Sequence, residues 1–360
     1  MAIAVLAPVI APYRVPLYER LAREHGAEVL TYGGGERYVP PWFETPAASA
    51  AFPTRALADG WREALALAGR YDAVIAPYGG GAILPAAYLG CRARRRPFLL
   101  WASVWAQPLS VTNLIALPVT RDMYRHAAAV VAYGEHARRF VARRRGRDDD
   151  VFVAPQSVEA DLFGRLVEEA EKDEFRARHG IPPGPVALYV GRLVTEKGIA
   201  ELLGAWESAR PEATLVVIGD GPLADQVSAA THTRLLGALP RDVLPVAYAV
   251  SDFLLVPSLA TRRFREPWGL VCNEAMHQGR PVIATSAVGA AAGGLVRDGE
   301  TGVVVAPRDG SALAAAIVRL LGDGELRRRL GAAGHRAVAS FNYDAMAAAF
   351  DRAIRAALKL

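Results

Sequence analysis

Arg192 and Lys197 lie in a short polar loop between an apolar run ending at Gly191 and a helical stretch beyond Gly198. Two cations at the C-terminal edge of a strand, before a helix whose dipole adds positive potential, suit a diphosphate. The same loop also reads as a surface turn with unrelated charges. Glu266 and Glu274 form a second group, with Pro267, Trp268, Gly269 and Leu270 after the first glutamate. The stretch 270–278 reads as a helix that Gly269 and Leu270 begin, with Glu274 two turns inside. Free backbone amides at such a start attract an anion, and Glu266 in the loop could accept hydrogen bonds from neutral hydroxyls. Two glutamates at this spacing are common by chance. The weight comes from the glycine, the proline and the strand 282–284 that Gly279, Arg280 and Pro281 introduce. A third segment, Gly219-Asp220-Gly221, ends another strand, and Pro222 suits a first helical position. Gly219, Gly221 and Ala224 fit a loose dinucleotide fingerprint. A true fingerprint sits on the first strand of its domain, however, and this one follows the second. The expectation is a tight turn whose backbone approaches a ligand.

The elements that must hold these groups follow from the pattern. Short apolar runs alternate with longer amphipathic stretches, which predicts a doubly wound α/β fold. Strands are expected at 2–6, 27–31, 73–76, 98–101, 129–132, 151–153, 186–190, 214–218, 234–236, 253–256, 281–284 and 302–305. Helices are expected between them, at 15–25, 61–68 and 135–145 among others, and the acidic stretch 159–180 reads as one more. The Pro/Gly cluster after His179 is a boundary signal. It divides the chain into an N-terminal Rossmann-like domain, 1–178, and a second one, 179–342. An Ala-rich helix, 343–360, follows with no strand after it.

Composition bounds the function. The chain has 360 residues, 52% of them hydrophobic and 22% charged, which excludes a disordered chain, a collagen and a coiled coil. Two cysteines, Cys91 and Cys272, exclude a disulfide scaffold or a CxxC site. The histidines lack metal-ligand spacing, Asp148–Asp150 do not converge on one ion, and no clear Asp-x-Asp clamp, GxSxG elbow or P-loop occurs. No metal and no cofactor are therefore expected. Neither a signal peptide nor a spanning segment is apparent, and the expected location is cytoplasmic. Residues 1–155 carry 19 arginines and lysines against 13 acidic residues, and the rest 23 against 24. The N-terminal excess reflects either arginine-rich composition or contact with something anionic, such as the inner membrane face. No recognition motif for nucleic acid accompanies it.

Together, Tyr189-Val-Gly-Arg-Leu-Val-Thr-Glu-Lys-Gly198, Val217-Ile-Gly-Asp-Gly-Pro-Leu223, Ser251-Asp-Phe-Leu-Leu-Val-Pro-Ser258 and the Glu266…Glu274 segment resemble glycosyltransferase family 4. They stand in the family's order and spacing and cover roughly 180–342. The resemblance implies two Rossmann-like domains facing across a cleft (the GT-B fold), with the last helix returning to the N-terminal domain. It implies a retaining, metal-independent transfer of sugar from a nucleotide-diphosphate sugar to a hydroxyl on a glycan, glycolipid or small molecule. Arg192 and Lys197 would hold the diphosphate, with Gly191 in the same loop. Glu266 would contact sugar hydroxyls, the amides of Gly269 and Leu270 would meet sugar or phosphate, and Glu274 would hold the ribose. Leu236, in the stretch 236–241, would lie near the base, and Gly219–Gly221 would be a structural turn.

The N-terminal half resembles the family less closely. Its first turn reads Ala7-Pro-Val-Ile-Ala-Pro-Tyr-Arg-Val-Pro16, where many members have glycines. Arg14 is then a candidate acceptor or phosphate contact, or else it caps a surface helix. Gly79 and Gly80 follow a strand and could bring backbone to the cleft, or form a simple turn. Trp101 and Trp105 occupy a region where many members carry a histidine. They are candidates to stack on a sugar face, or are core. Arg92–Pro97 beside the apolar segment reaching Leu117 could touch an anionic membrane, or be a solvated loop. Two further function classes fit the same architecture: a nucleotide-sugar epimerase, which needs acid/base groups at the cleft, and a silent nucleotide-sugar binding protein.

Overall fold

The computed structural model describes residues 1–33, 50–106, 116–209, 212–262 and 264–360. The chain divides into two compact units. One comprises Met1–Gln156 with Tyr343–Leu360, and the other Ser157–Asn342.

The first unit is built on a parallel sheet of seven strands: β1 (Ile3–Ala7), β2 (Ala27–Thr31), β3 (Thr54–Ala56), β4 (Ala73–Pro77), β5 (Phe98–Ala102), β6 (Ala129–Ala132) and β7 (Val151–Val153). Their order is β3-β2-β1-β4-β5-β6-β7. Parallel strands need crossovers, and the helices that supply them cover both faces, so β1, β4, β5, β6 and β7 are apolar throughout, while β2 and the edge strand β3 carry Glu28 and Arg55. The pleat sorts their side chains. Ile3, Val5, Leu99 and Trp101 enter one core layer, while Ala4, Leu6, Phe98 and Leu100 enter the other. The terminal helix Tyr343–Leu358 lays Met346, Phe350 and Ile354, one turn apart, into the first layer. The chain's end is thus an integral part of this unit's core.

The second unit has six parallel strands: β8 (Val186–Val190), β9 (Thr214–Ile218), β10 (Thr233–Leu235), β11 (Phe253–Val256), β12 (Val282–Thr285) and β13 (Gly302–Val305). Their order is β10-β9-β8-β11-β12-β13. Helices Ile199–Ala209 and Gly310–Gly322 pack Leu202, Trp206, Ile317 and Leu320 against one face. In each unit the strand order reverses once, between β1 and β4 and between β8 and β11. Those two crevices at the strands' C-terminal ends are where ligands bind in open α/β sheets.

Strand β3 was not expected, because Thr54-Arg55-Ala56 lacks the apolar run that marks the other strands. The domain boundary also differs from the expected 178/179, since the second unit begins at Ser157. The acidic stretch is two helices, Ala160–Phe163 and Glu169–Arg178, and both belong to the second unit. Phe163 packs edge-on to Tyr248, and Arg241 pairs with Glu159. Among the described residues, no helix is long and apolar enough to cross a membrane.

Candidate active site

Two of the sequence motifs of the second unit, the loops after β8 and β9, are bound to each other by backbone. Gly191 N–H donates to the Ile218 carbonyl at 2.9 Å, Leu193 N–H to Asp220 O at 2.8 Å, and Leu223 N–H to Leu193 O at 3.0 Å. The loops after β8 and β9 therefore run against each other. The glycines permit it: a Cβ on Gly219 would lie 1.9 Å from the Gly191 carbonyl oxygen, at φ +142°. The close approach expected of Gly219–Gly221 is thus to the neighbouring loop of this chain. Gly198 does the same on the other side, where a Cβ would meet the Pro257 carbonyl oxygen at 2.1 Å. Leu259 N–H donates to Glu196 O at 2.9 Å, tying the β8 loop to the segment after β11.

This packing brings Lys197 to Glu266, whose carboxylate it ion-pairs. Both side chains are largely buried, and Ser258 Oγ donates to the same carboxylate at 3.1 Å. Arg192 sits at the mouth of the crevice with its guanidinium half exposed, 3.6 Å from Glu196. Two cations thus stand at the C-terminal end of β8, beside the point where the strand order reverses. A partly exposed pair such as Arg192–Glu196 holds little energy and can exchange for a stronger anion.

Glu266 pairs its backbone with Val288, and Gly289 N–H donates to Glu266 O at 3.1 Å, so its position is fixed by the segment after β12. Gly269 takes φ +90°, turning the chain into helix Val271–His277. That helix is shorter than the expected 270–278, and Glu274 is its fourth residue, one turn inside rather than two. Gly269 and Leu270 precede it, and their amides take no backbone acceptor among the described residues. Trp268 Nε1–H donates to Asn273 Oδ1 at 2.7 Å, bracing the turn. Glu274 is buried and accepts a hydrogen bond from Tyr248 Oη at 2.6 Å. Burial pushes its carboxyl up to about 7, against the lowering effects of Tyr248 and Arg241. Leu236 N–H donates to Val217 O at 2.9 Å, which sets Leu236 at the C-terminal end of β10, beside the β9 loop.

Sequence reasoning missed Ser258 and Tyr248. Ser258 was within reach as the residue closing the Val256-Pro-Ser run. Tyr248 had no signal: it lies 26 residues from the carboxylate that it contacts.

In the first unit the candidates separate. Trp101 is not available to stack on a sugar, because it is 2% exposed, with the Phe350 ring edge-on at 5.1 Å and the Arg14 guanidinium over its face at 4.7 Å. Arg14 does not cap a surface helix. It is buried, donates to Gln156 Oε1 at 2.6 Å and Tyr133 Oη at 3.0 Å, and has no carboxylate at ion-pair distance among the described residues. Its charge rests on aromatic faces and an amide. Gly79, Gly80 and Gly81 all have positive φ after β4, at this unit's reversal point. Gly79 faces open space, whereas a Cβ on Gly80 would press on the Tyr32 ring. Trp105 is half-buried on the core and edge-on to His136 at 5.2 Å. Of the apolar segment reaching Leu117, residues 107–115 lie outside the described residues. The described residues contain no His, Cys, Asp and Glu cluster of metal-binding size.

The family profile "Glycosyl transferases group 1" matches residues 171–337. Alpha-D-kanosaminyltransferase from Streptomyces kanamyceticus is 31% identical over 230 residues, 61% of this chain and 58% of that protein. The GDP-mannose-dependent alpha-(1-6)-phosphatidylinositol monomannoside mannosyltransferase of Mycobacterium tuberculosis is 30% identical over 249 residues, 64% of each. This chain thus spans about three-fifths of the length of these curated relatives. Among solved structures, Anabaena HepE in complex with UDP superposes with a TM-score of 0.81 at 21% identity, over 98% of this chain and 99% of that one. Sucrose-phosphate synthase from Thermosynechococcus elongatus gives 0.73 at 23%, over 99% and 98%. The chain has the GT-B fold of two Rossmann-like domains, and its residues 171–337 match the glycosyl transferases group 1 family.

Proposed function

We propose that this protein transfers a sugar from a nucleoside-diphosphate sugar to a hydroxyl acceptor, with retained anomeric configuration and without a metal. The observation that carries the reading is the convergence of the β8 loop, with Arg192 and Lys197, on Glu266 at the reversal point of the second sheet. The family match and the named transferases among the relatives support it.

Departure of a nucleoside diphosphate develops about two negative charges. Arg192 and Lys197, fixed before the reaction by the loop packing, stabilise that charge as it forms. The Gly191 backbone lets the diphosphate approach, and the amides of Gly269 and Leu270 offer further donors to phosphate or sugar. In this reading Glu266 holds Lys197 in place and accepts from sugar hydroxyls. Glu274 accepts from the ribose hydroxyls, and Leu236 flanks the base. The acceptor proton passes to a leaving phosphate oxygen, so no side chain acts as nucleophile. Gly79, Gly80 and Trp105 are the acceptor-side candidates. The test is turnover of a panel of nucleotide-sugars with a chelator present, the product anomer being read by NMR. Glu266→Ala should lower kcat/KM about a hundredfold or more with the protein still folded, though less stable for the loss of the Lys197 pair. Unchanged turnover in that variant removes the assignment.

We also infer a cytoplasmic location with peripheral membrane contact through the first unit, serving a glycan or lipid-linked acceptor. Trp61, Leu65 and Leu89 are exposed large apolar side chains, and the helices bearing them cross where a Cβ on Gly90 would meet the Leu65 carbonyl oxygen at 2.1 Å. Arg62, Arg92 and Arg96, each exposed by about half or more, lie on or just after those helices. Aromatic and aliphatic groups among arginines fit an anionic lipid surface.

A further inference from the structure

A second cavity lies wholly within the second unit, at the other end of its sheet. Its volume is about 380 Å³, and Arg165, Lys172, His277, Gln278, Arg280 and His335 are among the residues lining it. Arg280 lies two residues before β12, and Ala249, also in the lining, lies four before β11. The cavity therefore opens at the strands' N-terminal ends, whereas Arg192, Lys197 and Glu266 follow C-terminal ends. The intervening four-residue strands span roughly 13 Å.

Its charge is unbalanced. Arg165 is committed to Glu171, at 3.1 and 2.8 Å, whereas Lys172 meets Glu169 at 2.6 Å in a pair whose carboxylate is exposed and can exchange for a stronger anion. Arg280 has no such partner among the described residues. Its Nη2 donates to the Ala249 carbonyl at 2.9 Å, while its Nε is buried without any hydrogen bond. The carboxylates that act on Arg280 from a distance are Asp252 and Glu169. Asp252 pairs with Arg327 at 3.4 Å, and Glu169 with Lys172. His277 adds a second buried nitrogen, Nε2, with no partner. A buried donor of a cation without an acceptor is costly and rare. The wall is held in place rather than loose, since Gln278 Nε2 donates to the carbonyls of Phe163 at 2.6 Å and Arg165 at 2.9 Å.

We propose that this cavity binds a phosphomonoester of small-sugar size, with Arg280 and Lys172 on the phosphate and Gln278 and His335 near the polyol. Arginine and lysine are the usual phosphate donors, and the volume exceeds what a bare phosphate fills. The site is separate from the proposed donor crevice and does not depend on that assignment.

The test is calorimetric titration of the full chain with inorganic phosphate and, separately, ribose 5-phosphate. One ribose 5-phosphate should bind per chain, more tightly than inorganic phosphate. Equal affinity for the two would assign a bare phosphate site and overturn the phosphomonoester. Arg280→Gln should weaken binding at least tenfold, and Lys197→Ala should leave it unchanged. Should Arg280→Gln fail to fold, Lys172→Gln on its exposed helix decides, with a severalfold loss expected. Absence of heat with both ligands overturns the proposal. So does full binding by Lys172→Gln, or loss of binding in Lys197→Ala alone.

Discussion

The ionisation of Glu274 offers a quantitative test of the second unit. Its carboxyl is buried and raised from the ordinary 4.5 to about 7, chiefly by burial. Tyr248 and Arg241 act to lower it, and Glu159 acts to raise it further. Between these two pH values the folded chain keeps the proton and the unfolded chain releases it. The unfolded state then binds fewer protons, so stability falls as pH rises through this window and is level above it. A shift of about 2.5 units corresponds to roughly 3 kcal/mol. In Glu274→Gln the amide cannot ionise, and its carbonyl still accepts from Tyr248. The stability difference between variant and wild type should therefore grow by roughly 3 kcal/mol from pH 4.5 to pH 8, in the variant's favour. For a unit of this size that is about 6–12 °C in thermal midpoint. The assay is a pair of thermal melts at each pH, with no nucleotide present. A midpoint difference that is the same at both pH values refutes the reasoning, because it would mean that Glu274 titrates alike in folded and unfolded chains.

Two further outcomes follow from packing and surface chemistry. Gly219→Ala drives a methyl into the Gly191 carbonyl oxygen and should destabilise the second unit by about 3 kcal/mol or more in chemical denaturation. Gly299→Ala, with φ +70° but nothing within 4 Å, should cost only about 1 kcal/mol. Replacing Trp61, Leu65 and Leu89 together by serine should abolish most co-sedimentation with phosphatidylglycerol vesicles, and undiminished binding would remove the proposed membrane face.

Much of the second unit was legible because its motifs encode local backbone. Gly198, Gly219 and Gly221 report places where one loop touches the next, and such contacts permit no side chain. The strands showed for a similar reason, since a parallel strand buried on both faces must be apolar throughout. What escaped was non-local. Nothing near Tyr248 indicates that it donates to Glu274, and nothing near Trp101 indicates that Phe350, 249 positions later, closes on its ring. Arg14 sits in a turn rich in prolines and reads as surface, yet Gln156 and Tyr133 draw it inside. The Pro/Gly cluster at 180–185 marked a real turn but not the division between units. The helices before it bury Phe163 and Phe175 with the second unit.

The central claim is that the crevice at the end of β8 holds a nucleoside diphosphate through Arg192 and Lys197. The most direct test is a thermal-shift screen of the wild type and of Arg192→Ala and Lys197→Ala against UDP, GDP, ADP, CDP and dTDP. A ligand that binds only the folded state raises the midpoint by mass action, by an amount that grows with its concentration over Kd. The account predicts that one nucleotide stands out with the wild type and that both substitutions cut its shift sharply. A flat response to all five, or a shift that survives both substitutions, would contradict it.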